Sequence, residues 1–169
     1  MKTIQYILDP VNPCPAGTLH FYLLFIDFDD FKQVNDMFGH DVGDLLIIEI
    51  SKRFKNLIRP FSFLIPEEIY IEDENGMSEA LFRLGGDEFT AIISDISIDE
   101  MKELATELVN TVKTPYLIDG NEVHISCSVG ICIYPDHADT AESLVKRADQ
   151  AMYHAKKGKN QFFFYHDGT

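Results

Sequence analysis

"FRLGGDEFTAII", Phe82–Ile93, sets two apolar runs around a glycine pair and puts two carboxylates directly behind it. β-Rich residues on both sides of Gly85–Gly86 predict a β-hairpin, "EALFRL" against "EFTAIIS". A hairpin turn has no need of Asp87 and Glu88 at the head of its returning strand, so these two residues ask for a further reason.

Upstream, "LHFYLLFIDFD" is a short, nearly unbroken apolar run and predicts a buried strand that ends in Asp27, Asp29 and Asp30. "DFKQVNDMF" predicts a helix and "GHDVGD" a turn. Asp44 is placed to cap the next helix, "LLIIEISKRFKNLI", whose apolar residues recur at helical spacing. Downstream, "IDEMKELATELVNTV" predicts an amphipathic helix, and "PYLIDGNEVHISCSVGICIY" a second hairpin around Asp119–Gly120. "TAESLVKRADQAMYHAKK" predicts a helix and "NQFFFY" a last strand. At the N-terminus "MKTIQYIL" suggests a short helix and "DPVNPCPAG" a loop. "RPFSFLIPEEIYIEDENGM", with two prolines and an acidic tail, reads as an extended excursion or a short hairpin. The order reduces to βαββαβ, an α+β ferredoxin-like arrangement: a central, mostly antiparallel sheet, helices packed on one face, and an extra β-hairpin.

The chain has 169 residues, which fits one domain, and its 46% hydrophobic and 25% charged content fits a globular fold. The longest apolar run, Phe21–Ile26, is far below the ~20 residues of a membrane span. The order of a signal peptide is missing too, so the expectation is a cytoplasmic domain, at most the cytoplasmic part of a larger protein, with no membrane insertion of its own. Cys14, Cys127 and Cys132 are an odd, widely spaced set that fits neither a zinc cluster nor a disulfide framework. A net charge of −14 argues against nucleic acid or anionic lipid as partner. An anionic ligand has to be met by bound cations or by a local basic patch.

In a βαββαβ sheet the first strand and the central hairpin are neighbours. "IDFDD" then lies beside "GGDE", and Asp27, Asp29, Asp87 and Glu88 converge. Carboxylates so close repel one another, and a divalent cation relieves the repulsion. Hard oxygen donors suit Mg²⁺, which completes its shell with water and phosphate oxygens, so the pattern points to a nucleoside triphosphate and metal-assisted phosphoryl chemistry. Lys32, just downstream, is placed to steady phosphate charge. Each feature has an ordinary reading as well: Gly-Gly-Asp as a plain turn, Asp29 and Asp30 as helix caps, Lys32 as a solvated helix residue.

"RLGGDEF" resembles the signature of the GGDEF family of bacterial diguanylate cyclases. "IDFDDFKQVNDMFGHDVGD" resembles the family's Asp-x-Asp-x-Phe-Lys, Asn-Asp, Gly-His and Gly-Asp pattern, and "KRADQAMYHAKKGKN" its last helix and following loop. The resemblance implies a palm core of the nucleotide-cyclase type over residues 21–169, with an insertion at about 59–77 and a divergent N-terminal segment, 1–20. It implies that two GTP molecules condense into cyclic di-GMP and pyrophosphate in a homodimer, with Mg²⁺ or Mn²⁺ as cofactor. Asp27, the Phe28 carbonyl, Asp87 and Glu88 would hold metal, Asp87 would also accept the hydroxyl proton, and Lys32 would stabilise the transition state. Asn35, His40 and Asp44 would form the guanine pocket, and Lys156 and Lys159 would contact the terminal phosphates. An alternative within the family is a catalytically inactive GTP-binding regulatory module attached to a phosphodiesterase domain; a sensory domain is the other expected neighbour.

Four departures stand out. The opening Asp-x-Leu-Thr-Gly-Leu-Pro-Asn-Arg segment is replaced by "DPVNPCPAGTLH", which leaves Arg83 without its usual acidic partner. The 59–77 stretch is long. Gly76 and Glu79 stand in place of the Arg-x-x-Asp of the product-inhibition site, so no product inhibition is expected there. The phosphate loop, "AKKGKN", is one residue short and carries Lys159 in place of Arg.

Overall fold

A computed structural model describes residues 20–58, 81–94 and 96–166. The expectations for the first 19 residues, for the 59–77 insertion and for Gly76 and Glu79 fall outside the described residues.

The central strand is β1 (Phe21–Asp29), and all nine of its residues are buried. β1 pairs antiparallel with β3 (Glu88–Ser94) on one side and with β6 (Ser126–Tyr134) on the other. β2 (Leu81–Gly85) lies outside β3, and β7 (Gln161–Phe164) adds to β6 in parallel, giving the order β2-β3-β1-β6-β7. The expected βαββαβ core is present. The second predicted hairpin divides into two parts. β4 (Tyr116–Ile118) and β5 (Asn121–Val123) form a separate two-stranded hairpin, and the run after His124 enters the main sheet as β6.

Among the described residues four helices flank the sheet, and they lie on both of its faces rather than on one. Side chains alternate along a strand, so Tyr22, Leu24, Ile26 and Phe28 face one way, into a core with Leu46, Ile50 and Phe54 of α2 (His40–Ile58) and Met101, Leu104 and Leu108 of α3 (Ile98–Lys113). Phe21, Leu23 and Phe25 face the other way, against Leu144, Ala148 and Met152 of α4 (Ala141–Lys156). Burial on both faces is the reason β1 reads as an unbroken apolar run. α3 and α4 start in capping boxes, Ser97 with Glu100 and Thr140 with Ser143. Among the described residues no helix is long and apolar enough to cross a membrane.

α1 (Phe31–Phe38) and α2 are separated by a single residue, Gly39, whose φ of 89° ends one helix and redirects the chain. The expected six-residue turn is thus one residue, and Asp44 lies inside α2 rather than at its cap. Two glycines four positions apart look like a turn in sequence, but Gly43 lies within α2.

Candidate active site

At its C-terminal end β1 delivers two aspartates to the α4 face. Asp27 is the register partner of Glu88 in β3 and of Ser128 in β6. The β1–β3 ladder stops at that pair, whereas the β1–β6 ladder continues to Asp29↔Ser126. Beyond Asp27, therefore, the β3-side edge of β1 is open, and the backbone of Phe28 runs along it. The Phe28 ring is fully buried against Phe31, Phe54 and Phe89, so only its main chain is available to a ligand.

The hairpin opposite turns on Gly86 and Asp87, one residue later than Gly85–Gly86, after a register shift between Arg83 and Gly85. Gly86 has φ 55°, which favours glycine, and Arg83 Nε donates to its carbonyl at 3.0 Å. Asp87 is thus held in the turn itself and Glu88 opens β3, with Asp27 directly across.

Asp27 is buried. Burial pushes its carboxyl above the ordinary range, an ion pair with Lys156 from the last turn of α4 pulls it back, and Asp87 and Glu88 push it up again. Lys159, in the loop after α4, bonds the Asp30 carboxylate at 2.5 Å, which pushes the Lys159 pKa up. Asp29 does not join Asp27, Asp87 and Glu88. Its carboxylate accepts from Ser126 Oγ at 2.6 Å, Ser128 Oγ at 2.8 Å and the Asn160 N–H at 3.0 Å.

On the other side of β1's end, Asn35 of α1 turns its side chain toward α2. A Cβ on Gly43 would fall 1.9 Å from Asn35 Oδ1, so glycine is what lets the two helices close over this amide. Asn35 Oδ1 is buried and has no hydrogen-bond partner. Asp44 follows Gly43 and is exposed, as are His40 at the start of α2 and Lys32 in α1. Asp27, Asp87, Glu88 and Lys156 are therefore gathered at one corner, and Asn35 and Asp44 flank the α1–α2 contact. Sequence reasoning missed Gly43 and the bonding of Asp29. The pattern "SCS", two hydroxyls on one face of a strand, was the available signal for the second.

The donors at this corner fit a hard divalent cation. Asp27 sits in the field of two further carboxylates beside an open strand edge, and the Lys156 ammonium stands in as its countercharge. Among the described residues no group of three or more ligating side chains forms a ready-made cage. Such a corner suits Mg²⁺, which takes one or two carboxylates and fills its shell with water and phosphate oxygens.

These features define an α+β domain with an acidic site where the central strand meets the neighbouring hairpin turn. The family model "Diguanylate cyclase, GGDEF domain" matches residues 10–65 and 70–161. The chain belongs to this family, and it is homologous to diguanylate cyclases. It is 39% identical over 146 residues, 86% of its length, to the bifunctional diguanylate cyclase/cyclic di-GMP phosphodiesterase MucR of Pseudomonas aeruginosa. It is 34% identical over 137 residues, 80% of its length, to the diguanylate cyclase TpbB of the same species. The chain spans 19% and 28% of those proteins' lengths. The crystal structure of the TpbB GGDEF domain superposes with a TM-score of 0.76 at 28% identity, covering 98% of this chain and 92% of that one.

Proposed function

We propose that this domain is a diguanylate cyclase that condenses two GTP molecules into cyclic di-GMP with release of pyrophosphate. The observation that carries the reading is the meeting of Asp27 with Asp87 and Glu88 across the open end of the β1–β3 ladder, beside Lys156. Asp27, the Phe28 carbonyl, Asp87 and Glu88 would hold Mg²⁺ or Mn²⁺. When bound, the metal polarises the α-phosphate and eases ionisation of the attacking hydroxyl.

The chain's own groups do the rest. Asn35 and Asp44 read the guanine edge, with His40 bordering the pocket. Asp44 accepts from guanine N1–H and the exocyclic amine, donors that adenine lacks at those positions. Lys156 and Lys159 take the terminal phosphates, and Lys32 steadies charge that develops in the transition state. Each subunit of a homodimer holds one GTP. The 3′-oxygen of each nucleotide bonds to the α-phosphorus of the other as the bond to pyrophosphate breaks, and Asp87 accepts the hydroxyl proton. In a longer protein a sensory or phosphodiesterase domain would adjoin this one.

The test is incubation with GTP and Mg²⁺ over a range of protein concentrations, followed by chromatography. Cyclic di-GMP from the wild type and none from Asp87→Ala supports the cyclase. Guanine-nucleotide binding with no product at any concentration assigns the domain instead to nucleotide sensing. Asp44→Ala should erode the preference for GTP over ATP.

A further inference from the structure

The loop that carries Lys159 is held in an unfavourable shape. α4 ends at Lys156, and the Gly158 and Lys159 N–H groups and the Gln161 side-chain amide all converge on the Ala155 carbonyl. Lys159 and Asn160 then take φ values of 55° and 49° before the chain enters β7. Left-handed backbone is unfavourable for a residue other than glycine, less so for asparagine. Two in succession persist only where the surroundings hold them.

Asp29 supplies that hold. It is 5% exposed, and its carboxylate accepts the Asn160 N–H at 3.0 Å. A charge-assisted bond of this kind is about twice as strong as a neutral one. Ser126 and Ser128 fix the same carboxylate from β6 at 2.6 and 2.8 Å. One buried group thus joins β1, β6 and the loop, with Lys156 on Asp27 and Lys159 on Asp30 at either side.

We infer that Asp29 is a positioning residue: through Asn160 it sets the loop that presents Lys159, beside Lys156 at the end of α4, to the β- and γ-phosphates. This inference rests on the GTP reading above. It assigns Asp29 to triphosphate affinity and leaves guanine recognition to Asn35 and Asp44.

The experiment compares a non-hydrolysable GTP analogue with GMP, each titrated with Mg²⁺ into wild type and variants and followed by NMR. In Asp29→Ala the advantage of the analogue over GMP should fall about tenfold or more, as expected for losing a hydrogen bond to a charged acceptor, with GMP affinity unchanged. Asp29→Asn should recover to within about threefold, because its carbonyl still accepts the Asn160 N–H and Ser128 can turn to accept from the amide. An unchanged ratio in Asp29→Ala overturns the inference, and so does an equal loss for both ligands, which is what general loosening would produce. Should Asp29→Ala fail to fold, the Ser126→Ala/Ser128→Ala double variant decides by the same ratio. A wild type that binds no guanine nucleotide sinks the GTP reading and this inference with it, whereas an intact wild-type preference that survives in the variant sinks the inference alone.

Discussion

Asp27 and Asp29 stand two residues apart on the same face of the same strand, and their surroundings differ in kind. Asp29 meets three donors, two hydroxyls and one backbone N–H, and its charge is fully used in bonding. Asp27 meets one lysine and two carboxylates of its own sign, and burial leaves its carboxyl easier to protonate than in water. Donors come from the β6 side, where the ladder runs on to Asp29. Repulsion comes from the β3 side, where the ladder stops. The same residue type thus serves as a structural tie on one side and as a destabilised, ligand-ready group on the other.

The sharpest way to break this contrast is Asp27→Asn. If the domain is the cyclase proposed above and Asp27 a ligand of its metal, cyclic di-GMP formation should fall at least about a thousandfold, as expected where a metal-supported transition state loses its ligand. Stability should move the other way. The raised pKa means that the folded chain holds the Asp27 proton more readily than the unfolded chain, so this residue's contribution weakens as pH rises from the ordinary carboxylate value through the raised one. The variant should melt higher than wild type at neutral pH, and the gap should close as pH falls below the carboxylate range. A lower melting temperature at pH 7 would place Asp27 with Asp29 as a tie.

Gly43→Ala tests the buried Asn35 amide oxygen, which has no hydrogen-bond partner. Alanine for a helical glycine ordinarily gains up to about 1 kcal/mol. Here the new Cβ meets Asn35 Oδ1 at 1.9 Å and Phe31 Cζ at 3.3 Å, so denaturant titration should show a loss of about 1–3 kcal/mol. Guanine-nucleotide affinity should drop roughly tenfold as the amide is displaced.

Ser97→Ala removes a satisfied group far from the corner. It breaks the α3 capping box, in which Glu100 N–H donates to Ser97 Oγ at 3.3 Å and Ser97 N–H to Glu100 Oε2 at 2.7 Å. About 1 kcal/mol of stability should go, with nucleotide binding untouched. The smallest effect belongs to Asp30→Asn. Asn tolerates the φ of 60° at this position, and losing the charge frees Lys159 for the phosphate role proposed above. An exposed ion pair is weak, so GTP affinity should rise only about two- to threefold, with no loss of stability.

The main elements of this fold were legible in sequence because periodicity reports burial. The unbroken run of β1, the hairpin around Gly86 and the amphipathic pattern of α3 and α4 each have one physical reading. The meeting of Asp27 with Asp87 and Glu88 followed from strand order alone. What escaped were features that depend on packing between distant segments. Gly39 and Gly43 look alike in sequence; the first ends a helix by its φ, and the second lies inside a helix, where Asn35 leaves no room for a Cβ. The run after Asp119–Gly120 does not announce that His124 and Ile125 separate a small hairpin from a core strand. Nor does "IDFDD" say which aspartate will find donors and which will face charge, because the donors lie about a hundred residues downstream.

That separation bears on how the corner comes into being during synthesis. Several partners of β1's end lie at the far end of this domain: Lys159 reaches back 129 residues to Asp30, and Asn160 reaches back 131 to Asp29. As the polypeptide leaves the ribosome, the acidic strand end has to wait for nearly all the rest of this domain before countercharge is in place. A protein clipped before α4 would retain most of its hydrophobic centre but lose every lysine and amide that makes this end of the strand tolerable, so nucleotide handling should be among the first properties lost to C-terminal proteolysis.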